Sequence, residues 1–525
     1  MAALPAHLLQ AVVATPVVTG LLLIAGRRLP RSLGALIAFL GFAVPAAIAP
    51  WLLVAWADLS IPPEAFKSAG PWGVGLALNG FSAPLLAMTS LVGLAAGIKA
   101  LTQDVESRHA YLGLLLFMLG GTLGVFATDH VVGFYFFHEF ALIPTFVLTL
   151  FWGGEGRRPA AMQMAIYLTV GAMASLAGIL MAVDAAGLDW TKATFESVAD
   201  GLAAKGAPTG AGALALFGFG TLASLFPFHS WAAPGYSAAP TPAAMLHAGA
   251  LKKFGLYGLA LLGLTSLRIT EGALGDWLLW LALGNVTLIG FVCLTQVDLK
   301  RLVSWSSVAH MGPVFLGLWV AGARGSASGL DAAVLLMTAH GLSCAALFLL
   351  SNDVRVRAGS YRFEDMGGLA SRAPVLAAFF VAASMASLGL PGFANFWGEI
   401  GVFLSLRAEP LWIQALVAST VVITAVYTLR AAAAAFFGPA SAALDARAAA
   451  APFGDLSWPS RVAAGLLLGA SLTLGFLPSL VTDSTNRVSA DVVKYVRLDR
   501  HPARTGRGRP LALRPAAGDG HPGKT

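Results

Sequence analysis

The run HVVGFYFFHEFALIPTFVLTLFW, residues 130–152, decides the fold class of this chain. It is mostly apolar and long enough for one membrane-spanning helix, which needs about 20 residues. One carboxylate, Glu139, lies near its middle, with about ten residues, or roughly 15 Å of helix, on either side. A charge at this depth costs roughly 2.5–3.5 kcal/mol on insertion scales, so Glu139 is expected to have a function in the membrane.

The composition extends this conclusion to the whole chain of 525 residues, of which 57% are hydrophobic and only 11% charged. A soluble domain would have about 25% charged residues, so the chain must use the lipid bilayer as its solvent. The net charge of +7 does not form a basic stripe with interleaved aromatic residues, which argues against a nucleic-acid partner. Cys293 and Cys344 lie inside apolar runs, which argues against a disulfide framework or a cysteine-ligated metal site.

Candidate spans follow one another along most of the chain, about fourteen in all. The first is interpreted as a helix and not as a signal peptide, because its positive charges follow the apolar run. From about residue 496 the chain is rich in Arg, Pro and Gly, which predicts a disordered basic tail over 496–525. The candidate spans are 6–26, 33–57, 76–100, 110–128, 130–152, 164–187, 211–228, 241–265, 275–295, 302–322, 329–352, 373–405, 411–438 and 461–482.

The loop charges predict an orientation. Alternate loops hold most of the basic residues, and the positive-inside rule makes those loops cytoplasmic. Both termini then lie on the non-cytoplasmic side if there are fourteen spans, whereas an odd number would place the basic tail inside. The residues that decide this orientation are Arg27, Arg28, Arg31, Arg108, Arg157, Arg158, Lys300, Arg301, Arg355, Arg357, Arg362, Arg372 and Arg447.

Proline interrupts two of the candidate spans. The run 211–228 ends in Phe-Pro at 226–227, and the span 373–405 contains Gly-Leu-Pro-Gly at 389–392. Because proline removes a backbone donor, such a break survives in lipid only where it is buried in protein or lines a wet cavity. Paired broken helices indicate the ion site of a transporter, although either break alone is also explained by an ordinary proline kink.

Two carboxylates and two adjacent lysines are the main candidates for proton transfer. Glu139 lies at mid-span beside His138, and Glu399 follows the second proline break. Lys252 and Lys253 lie midway along 241–265 and point in different directions, so at least one is expected to face the protein interior. The alternative for each acid is a neutral side chain that only hydrogen-bonds between helices.

Three histidines complete the set of candidates. His340 lies at the centre of 329–352, and His310 lies in the first half of 302–322. Histidine titrates close to neutrality and suits a proton relay, although a lone histidine is often a packing residue. His247 precedes Lys253 by six positions, which places it on another face of the helix. His229 and Trp231, in the loop after the first break, are interpreted as capping and anchoring residues.

Six runs resemble one family in the same order. The resemblance is to subunit M of proton-translocating NADH:quinone oxidoreductase (complex I), which is called subunit 4 in mitochondria, and it covers roughly residues 75–440. Subunits L and N, the large subunits of Mrp-type cation/proton antiporters and membrane hydrogenase subunits share that fold. The six runs are FHEFALIPTF, PFHSWAAPGYSAAPTPAAMLHAGALKKFGLYG, TQVDLKRLVSWSSVAHMG, TAHGLSCAALF, DMGGL and SLGLPGFANFWGE.

The resemblance implies an all-α polytopic membrane protein of about fourteen helices, with two inverted five-helix repeats that contain broken helices. It divides the chain into N-terminal helices (1–109), a first repeat (110–265), a second repeat (275–438), a C-terminal helix (461–482) and the tail (496–525). Carried over by position, Glu139 matches the family's glutamate in the fifth helix, and Lys253 matches the lysine of the eighth. His340 matches the histidine of the eleventh helix, and Glu399 matches the acid of the twelfth.

One position departs from the family pattern. Its members usually have a lysine in the seventh helix, seven residues before the HxW of this loop, and counting back from His229 leads to Leu222. That lysine normally pairs with the fifth-helix glutamate, so Glu139 is expected to lack its cation. Either the pathway runs instead through His138, Lys252 or His247, or this copy pumps poorly. The proline and acid that usually follow HxW are also replaced, by Ala233 and Pro234.

Three functions follow as alternatives. The first is a proton-translocating membrane-arm subunit of respiratory NADH:quinone oxidoreductase, which implies subunits L and N and small membrane subunits as partners. The second is a subunit of an Mrp-type antiporter or membrane hydrogenase, and the third is a structural subunit with impaired transport. The sequence has no nucleotide, dinucleotide or zinc motif of its own. The resemblance implies that FMN, iron–sulfur clusters and quinone are bound by partner subunits. The expected location is the inner (plasma) membrane of a bacterium.

Overall fold

The computed structural model describes residues 4–58, 60–68, 75–451 and 453–498, and these are overwhelmingly helical. Only one short antiparallel strand pair occurs in this part, β1 (Lys67–Ser68) with β2 (Leu76–Ala77). Eleven helices of the described residues are long and apolar enough to cross a membrane, and two shorter apolar helices accompany them. The predicted all-α polytopic fold is confirmed, while the total of fourteen spans and the inverted repeats stay predictions.

The helices fall into four groups along the chain. The N-terminal group is α1 (Leu4–Ala25), α2 (Arg31–Ala57), α3 (Ser82–Leu101) and α4 (Arg108–Ala127). The next is α5 (Val131–Trp152), α6 (Arg157–Ala186), α7 (Phe195–Lys205), α8 (Thr209–Leu222), α9 (Ala232–Ala238), α10 (Thr241–Leu246) and α11 (Lys253–Gly258). The third is α12 (Gly272–Gly284), α13 (Gly290–Leu294), α14 (Leu299–Ala309), α15 (Met311–Arg324), α16 (Ala327–Ala358), α17 (Leu369–Arg372), α18 (Pro374–Ser387), α19 (Ala394–Ser405) and α20 (Leu411–Phe436). The last is α21 (Ala442–Ala450), α22 (Trp458–Phe476) and α23 (Ser479–Leu498).

Short turns of other helical types join several of these elements. Turns of 3-10 helix cover Pro63–Phe66, Trp190–Lys192 and Phe363–Asp365. Wider π-helical turns cover His247–Leu251, Leu259–Gly263 and Asn285–Ile289. A π-helical turn adds a residue to one turn of helix and often marks a functional position.

Small residues let helices α6 and α8 pack with their backbones in contact. A Cβ atom added at Gly218 would lie 2.4 Å from the backbone nitrogen of Ser175, and one added at Gly171 would lie 3.1 Å from Thr221. Such close packing is a main source of helix association in lipid, because lipid tails are as apolar as the helix surfaces and no hydrophobic effect drives the helices together. It fixes α8, which ends at Leu222, against the outer part of the bundle.

The first proline break lies between α8 and α9 and is held by Asn285. Its side-chain oxygen accepts from the backbone nitrogen of Phe226 at 2.6 Å, and its nitrogen donates to the carbonyls of Ser224 at 3.0 Å and Val308 at 3.2 Å. Asn285 is fully buried and lies in the π-helical turn after α12. The amide therefore satisfies backbone groups that the interrupted helix leaves open.

The second break lies between α18 and α19. The carbonyl of Ser387, the last residue of α18, lies 3.1 Å from His310 Nε2. Gly389 has φ +76°, and a Cβ atom there would lie 2.5 Å from a carboxylate oxygen of Glu399. Glycine is therefore required both by the backbone conformation and by the close approach of Glu399.

The C-terminal region differs from the sequence-based boundaries. Helix α22 ends at Phe476, before Pro478, rather than at 482, and α23 follows over Ser479–Leu498. Ser484 donates to the carbonyl of Gly80 at 3.0 Å, and Ser489 donates to Asp331 at the start of α16. Helix α23 is too polar to be recognised as a span. Residues 499–525, most of the predicted tail, lie outside the described residues.

Candidate functional site

The adjacent lysines leave the helix in two directions because the π-helical turn His247–Leu251 precedes them. The backbone nitrogen of Lys252 donates to the carbonyl of His247 at 3.1 Å, five residues earlier. Both lysine side chains are buried, Lys252 at 1% exposure and Lys253 at 0%. One lysine reaches α16 and the other reaches α14, so the two ammonium groups have different surroundings.

Lys253 begins a row of ionisable side chains at the centre of the bundle. Its Nζ lies 2.9 Å from His340 Nδ1 and donates to the carbonyl of Ala248 at 2.8 Å. The imidazole rings of His340 and His310 follow, with centroids 5.7 Å apart. Both histidines are buried, and His340 lies on α16, the most deeply buried long helix of the described chain. The structure thus brings together three residues that are 30 to 87 positions apart along the sequence.

His310 continues the row toward Glu399. Both residues line a small cavity together with Pro313, Thr420 and Thr424. A hydroxyl pair, Ser306 and Tyr427, lies beside this cavity with 3.1 Å between the two oxygens. The groups around the cavity can donate and accept protons, and Gly389 of the break before α19 lies close to the carboxylate of Glu399.

Lys252 has a separate set of partners. Its Nζ donates to both the carbonyl and the hydroxyl oxygen of Ser307, each at 2.5 Å. Cys344 Sγ lies 3.4 Å from the same hydroxyl, and the Tyr236 ring centroid lies 5.6 Å from the ammonium. Within the described residues Lys252 has no ion-pair partner, and its ammonium contacts hydroxyl, carbonyl and aromatic groups.

Aromatic rings surround the histidines nearer to α5. His247 stacks on Trp231 with ring centroids 5.4 Å apart and meets Tyr236 edge-on at 5.1 Å. His138 stacks on Phe254 at 3.8 Å. Trp231 also donates from its indole nitrogen to the carbonyl of Thr221 at 3.0 Å, in agreement with the capping role expected for it.

Glu139 lies at the outer surface of the bundle rather than in its interior. Its side chain is 32% exposed, and His138 Nδ1 lies 3.9 Å from Glu139 Oε1. Phe136 and Ile143, on the same helix, are 61% and 63% exposed. Glu139 is therefore only partly buried in the isolated chain. The apolar side chain of Leu222, the position at which the resemblance implies a lysine, is 2% exposed.

Several polar residues of the bundle were missed by the sequence analysis. Lys99 on α3 pairs with Asp353 on α16 at 2.9 Å, and Arg357 donates to the backbone carbonyl of Asp353 at 2.7 Å. Asn395 is fully buried one helical turn before Glu399. Ser307 was likewise unassigned. A lone polar residue in an apolar run was the available signal, but the sequence does not say which side chains meet.

Metal binding finds no support in the described residues. No group of three or more His, Cys, Asp or Glu side chains in that part of the chain is placed to hold an ion. Cys293 and Cys344 are both buried free thiols. The row from Lys253 to Glu399 consists of groups that bind protons.

Comparison with known proteins assigns the class. Residues 128–424 match the family described as NADH:quinone oxidoreductase/Mrp antiporter, transmembrane. A curated relative from Picosynechococcus sp., NAD(P)H-quinone oxidoreductase chain 4, is 32% identical over 81% of this chain and 79% of its own length. The chain therefore belongs to this family of antiporter-like membrane subunits.

Solved structures agree with that assignment. A chain of respiratory complex I from Thermus thermophilus superposes with a TM-score of 0.80 at 26% identity, covering 93% of this chain and 99% of that chain. A chain of the Mrp complex from Dietzia sp. has the same TM-score of 0.80 at 19% identity, covering 94% of this chain and 99% of its own. The latter similarity concerns the fold alone.

Proposed function

We propose that the chain is a proton-translocating membrane-arm subunit of a respiratory NADH:quinone oxidoreductase, equivalent to subunit M or chain 4. The central observation is the buried row Lys253–His340–His310, which continues to the cavity of Glu399. The identity of 32% to a chain 4 subunit over most of both lengths supports the same role.

In the proposed mechanism, protons move between neighbouring groups of the row. Lys253 and His340 are within hydrogen-bond distance, so either can hold a proton that the other releases. His310 passes the proton toward Glu399 through the cavity and its hydroxyl groups. The break at 388–393 lets α18 and α19 adjust separately when the charge of Glu399 changes.

The remaining assignments follow from this role. The partners are antiporter-like subunits L and N and small membrane subunits, and FMN, iron–sulfur clusters and quinone belong to other subunits of the complex. The membrane is the inner (plasma) membrane of a bacterium, with basic loops on the cytoplasmic side. The regions 110–265 and 275–438 are proposed as two inverted repeats, since each contains one interrupted helix.

Purification of the intact complex tests the assignment. A tagged chain should co-purify with subunits that contain flavin and iron–sulfur clusters and with NADH:quinone reductase activity. Co-purification with small antiporter subunits and no redox activity would instead identify an Mrp-type complex. An assembled redox complex that pumps the same number of protons with and without Lys253 would identify a structural subunit with impaired transport.

A further inference from the structure

Lys252 is not needed for the row described above, yet it is buried at mid-helix with its own partners. We propose that Lys252 is a second proton-holding site, reached through a polar stripe on α14, and that it replaces the lysine absent at position 222. This inference rests on the proposed function, because it adds a site to the same proton path.

The stripe consists of Lys300, Ser304 and Ser307, which lie on one face of α14 because they are spaced by four and three residues. All three are buried, with exposures of 6%, 0% and 2%. Ser304 donates to the carbonyl of Lys300 at 2.7 Å, and Ser307 contacts Lys252. A buried line of polar groups therefore leads from the end of α14 to the ammonium group.

The outer end of this stripe lies at a basic loop. Lys300 donates to the carbonyl of Ala239 at 2.7 Å, and its ammonium lies 5.7 Å from the ring centroid of Tyr361. Asp298 caps α14 by accepting from the backbone nitrogen of Arg301 at 2.8 Å. Since Arg301 is exposed, the stripe begins where the chain meets solvent on the side proposed to be cytoplasmic.

The partners of Lys252 suit a group that gains and loses a proton. A hydroxyl both donates and accepts, so Ser307 can bind the ammonium form through its oxygen and the neutral amine through its O–H. A fixed carboxylate, such as the one that binds Lys99, would instead hold the lysine in its charged form. Lys252 therefore differs in its surroundings from the ion-paired lysine of the same bundle.

The surroundings of Lys252 also include Tyr236 and His247. Tyr236 presents its ring to the ammonium at 5.6 Å and contacts His247 with a centroid distance of 5.1 Å. His247 interacts electrostatically with both Lys252 and His138, and His138 Nδ1 lies 3.9 Å from Glu139 Oε1. A positive charge on Lys252 can therefore act, through His247, on the pair of residues at 138 and 139.

The test uses the assembled complex in proteoliposomes, supplied with NADH and a short-chain quinone. Lys252→Arg keeps the charge but does not release a proton, so it should assemble normally and lower the rate of proton uptake about tenfold. Leu222→Lys in the Lys252→Met chain should recover most of the proton uptake that Lys252→Met loses. Ser307→Ala should lower proton uptake about fivefold.

A matched control is Ser175→Ala, which removes a fully buried hydroxyl that bonds only within its own helix, at 2.8 Å from the carbonyl of Ala172. It should leave proton uptake unchanged. Wild-type uptake by Lys252→Arg, or failure of Leu222→Lys to restore uptake to Lys252→Met, would overturn this proposal. Lys253→Met separates this proposal from the proposed function. If Lys253→Met loses proton uptake, the proposed function stands even where the Lys252 variants overturn the second site. Normal uptake by Lys253→Met would overturn the proposed function itself.

Discussion

The two halves of the ionisable region differ in how their polar atoms are paired. Around α16, the side chains of Lys253, His340 and His310 bond to one another or to backbone carbonyls. On α5, His138 Nδ1 and Glu139 Oε1 are buried without a hydrogen bond in the part of the chain that the structure describes. The second half, around α16, has hydrogen-bond partners within this chain, whereas the first half, on α5, reaches the outer face of the bundle.

This difference follows from the position of each helix. Helix α16 is surrounded by other helices, so His340 and most of its other polar residues are buried in protein. Helix α5 presents exposed apolar residues and about a third of the Glu139 side chain to the surface, where lipid or another subunit lies. Because position 222 is a leucine, the charge of the first half depends on groups outside α5 and α8.

The largest effect is expected at Lys253. Lys253→Met should assemble normally but lower quinone-coupled proton uptake about 100-fold or more, because it removes a proton-transfer group. Lys99→Met should behave in the opposite way. It removes the nearer cation of buried Asp353 and leaves Arg357 at 3.8 Å, which costs up to about 3–5 kcal/mol, so assembly should fall while each assembled complex still pumps.

Proton uptake in proteoliposomes, divided by the amount of assembled complex on native gels, separates these two outcomes. If Lys253→Met pumps normally, the second half is not the proton path. If Lys99→Met assembles normally and stops pumping, the ion pair belongs to the path and the contrast between paired and unpaired lysines fails.

Placing a lysine at position 222 tests whether that position faces Glu139 in the first half. Leu222→Lys should be tolerated better in the wild-type chain than in Glu139→Gln, because a lysine buried without its carboxylate costs about 3–5 kcal/mol. The measurements are the assembly level and proton uptake of the single and double variants. Equal behaviour in both backgrounds would show that Glu139 does not face position 222.

A smaller effect is expected where the first break is held. Asn285→Leu removes the bonds to Ser224, Phe226 and Val308 and should destabilise the solubilised complex by about 1–3 kcal/mol, seen as a lower melting temperature. Thr287→Val is the control, since Thr287 bonds only to Leu283 of its own helix, at 2.8 Å. Equal melting temperatures for the two variants would mean that the break does not need the amide.

The last prediction concerns the side of the membrane on which the two termini lie, and it involves no change in stability or activity. With fourteen spans and basic loops inside, both termini lie on the non-cytoplasmic side. A protease added to oriented vesicles should cut a C-terminal tag only from that side. Cleavage from the cytoplasmic side alone would indicate an odd number of spans and would reverse the side assigned to the tail.

The sequence alone was sufficient for the membrane class and for most candidate residues. Long apolar runs predict spans because lipid requires every backbone group to be bonded within its own helix. Rare charges in such runs, as at Glu139, Lys253 and Glu399, are informative because each carries an insertion cost. The two proline breaks were predicted for a similar reason, and both are present at 223–231 and 388–393.

Only the tertiary structure decided which of these side chains meet. Helical periodicity does not place Lys253 against His340 or Lys252 against Ser307, because the π-helical turn before them shifts the faces of the helix. It also does not reveal that Glu139 lies at the outer face, since a single span looks alike whether protein or lipid surrounds it. Burial and pairing depend on contacts between distant segments, and those contacts arise when the helices pack.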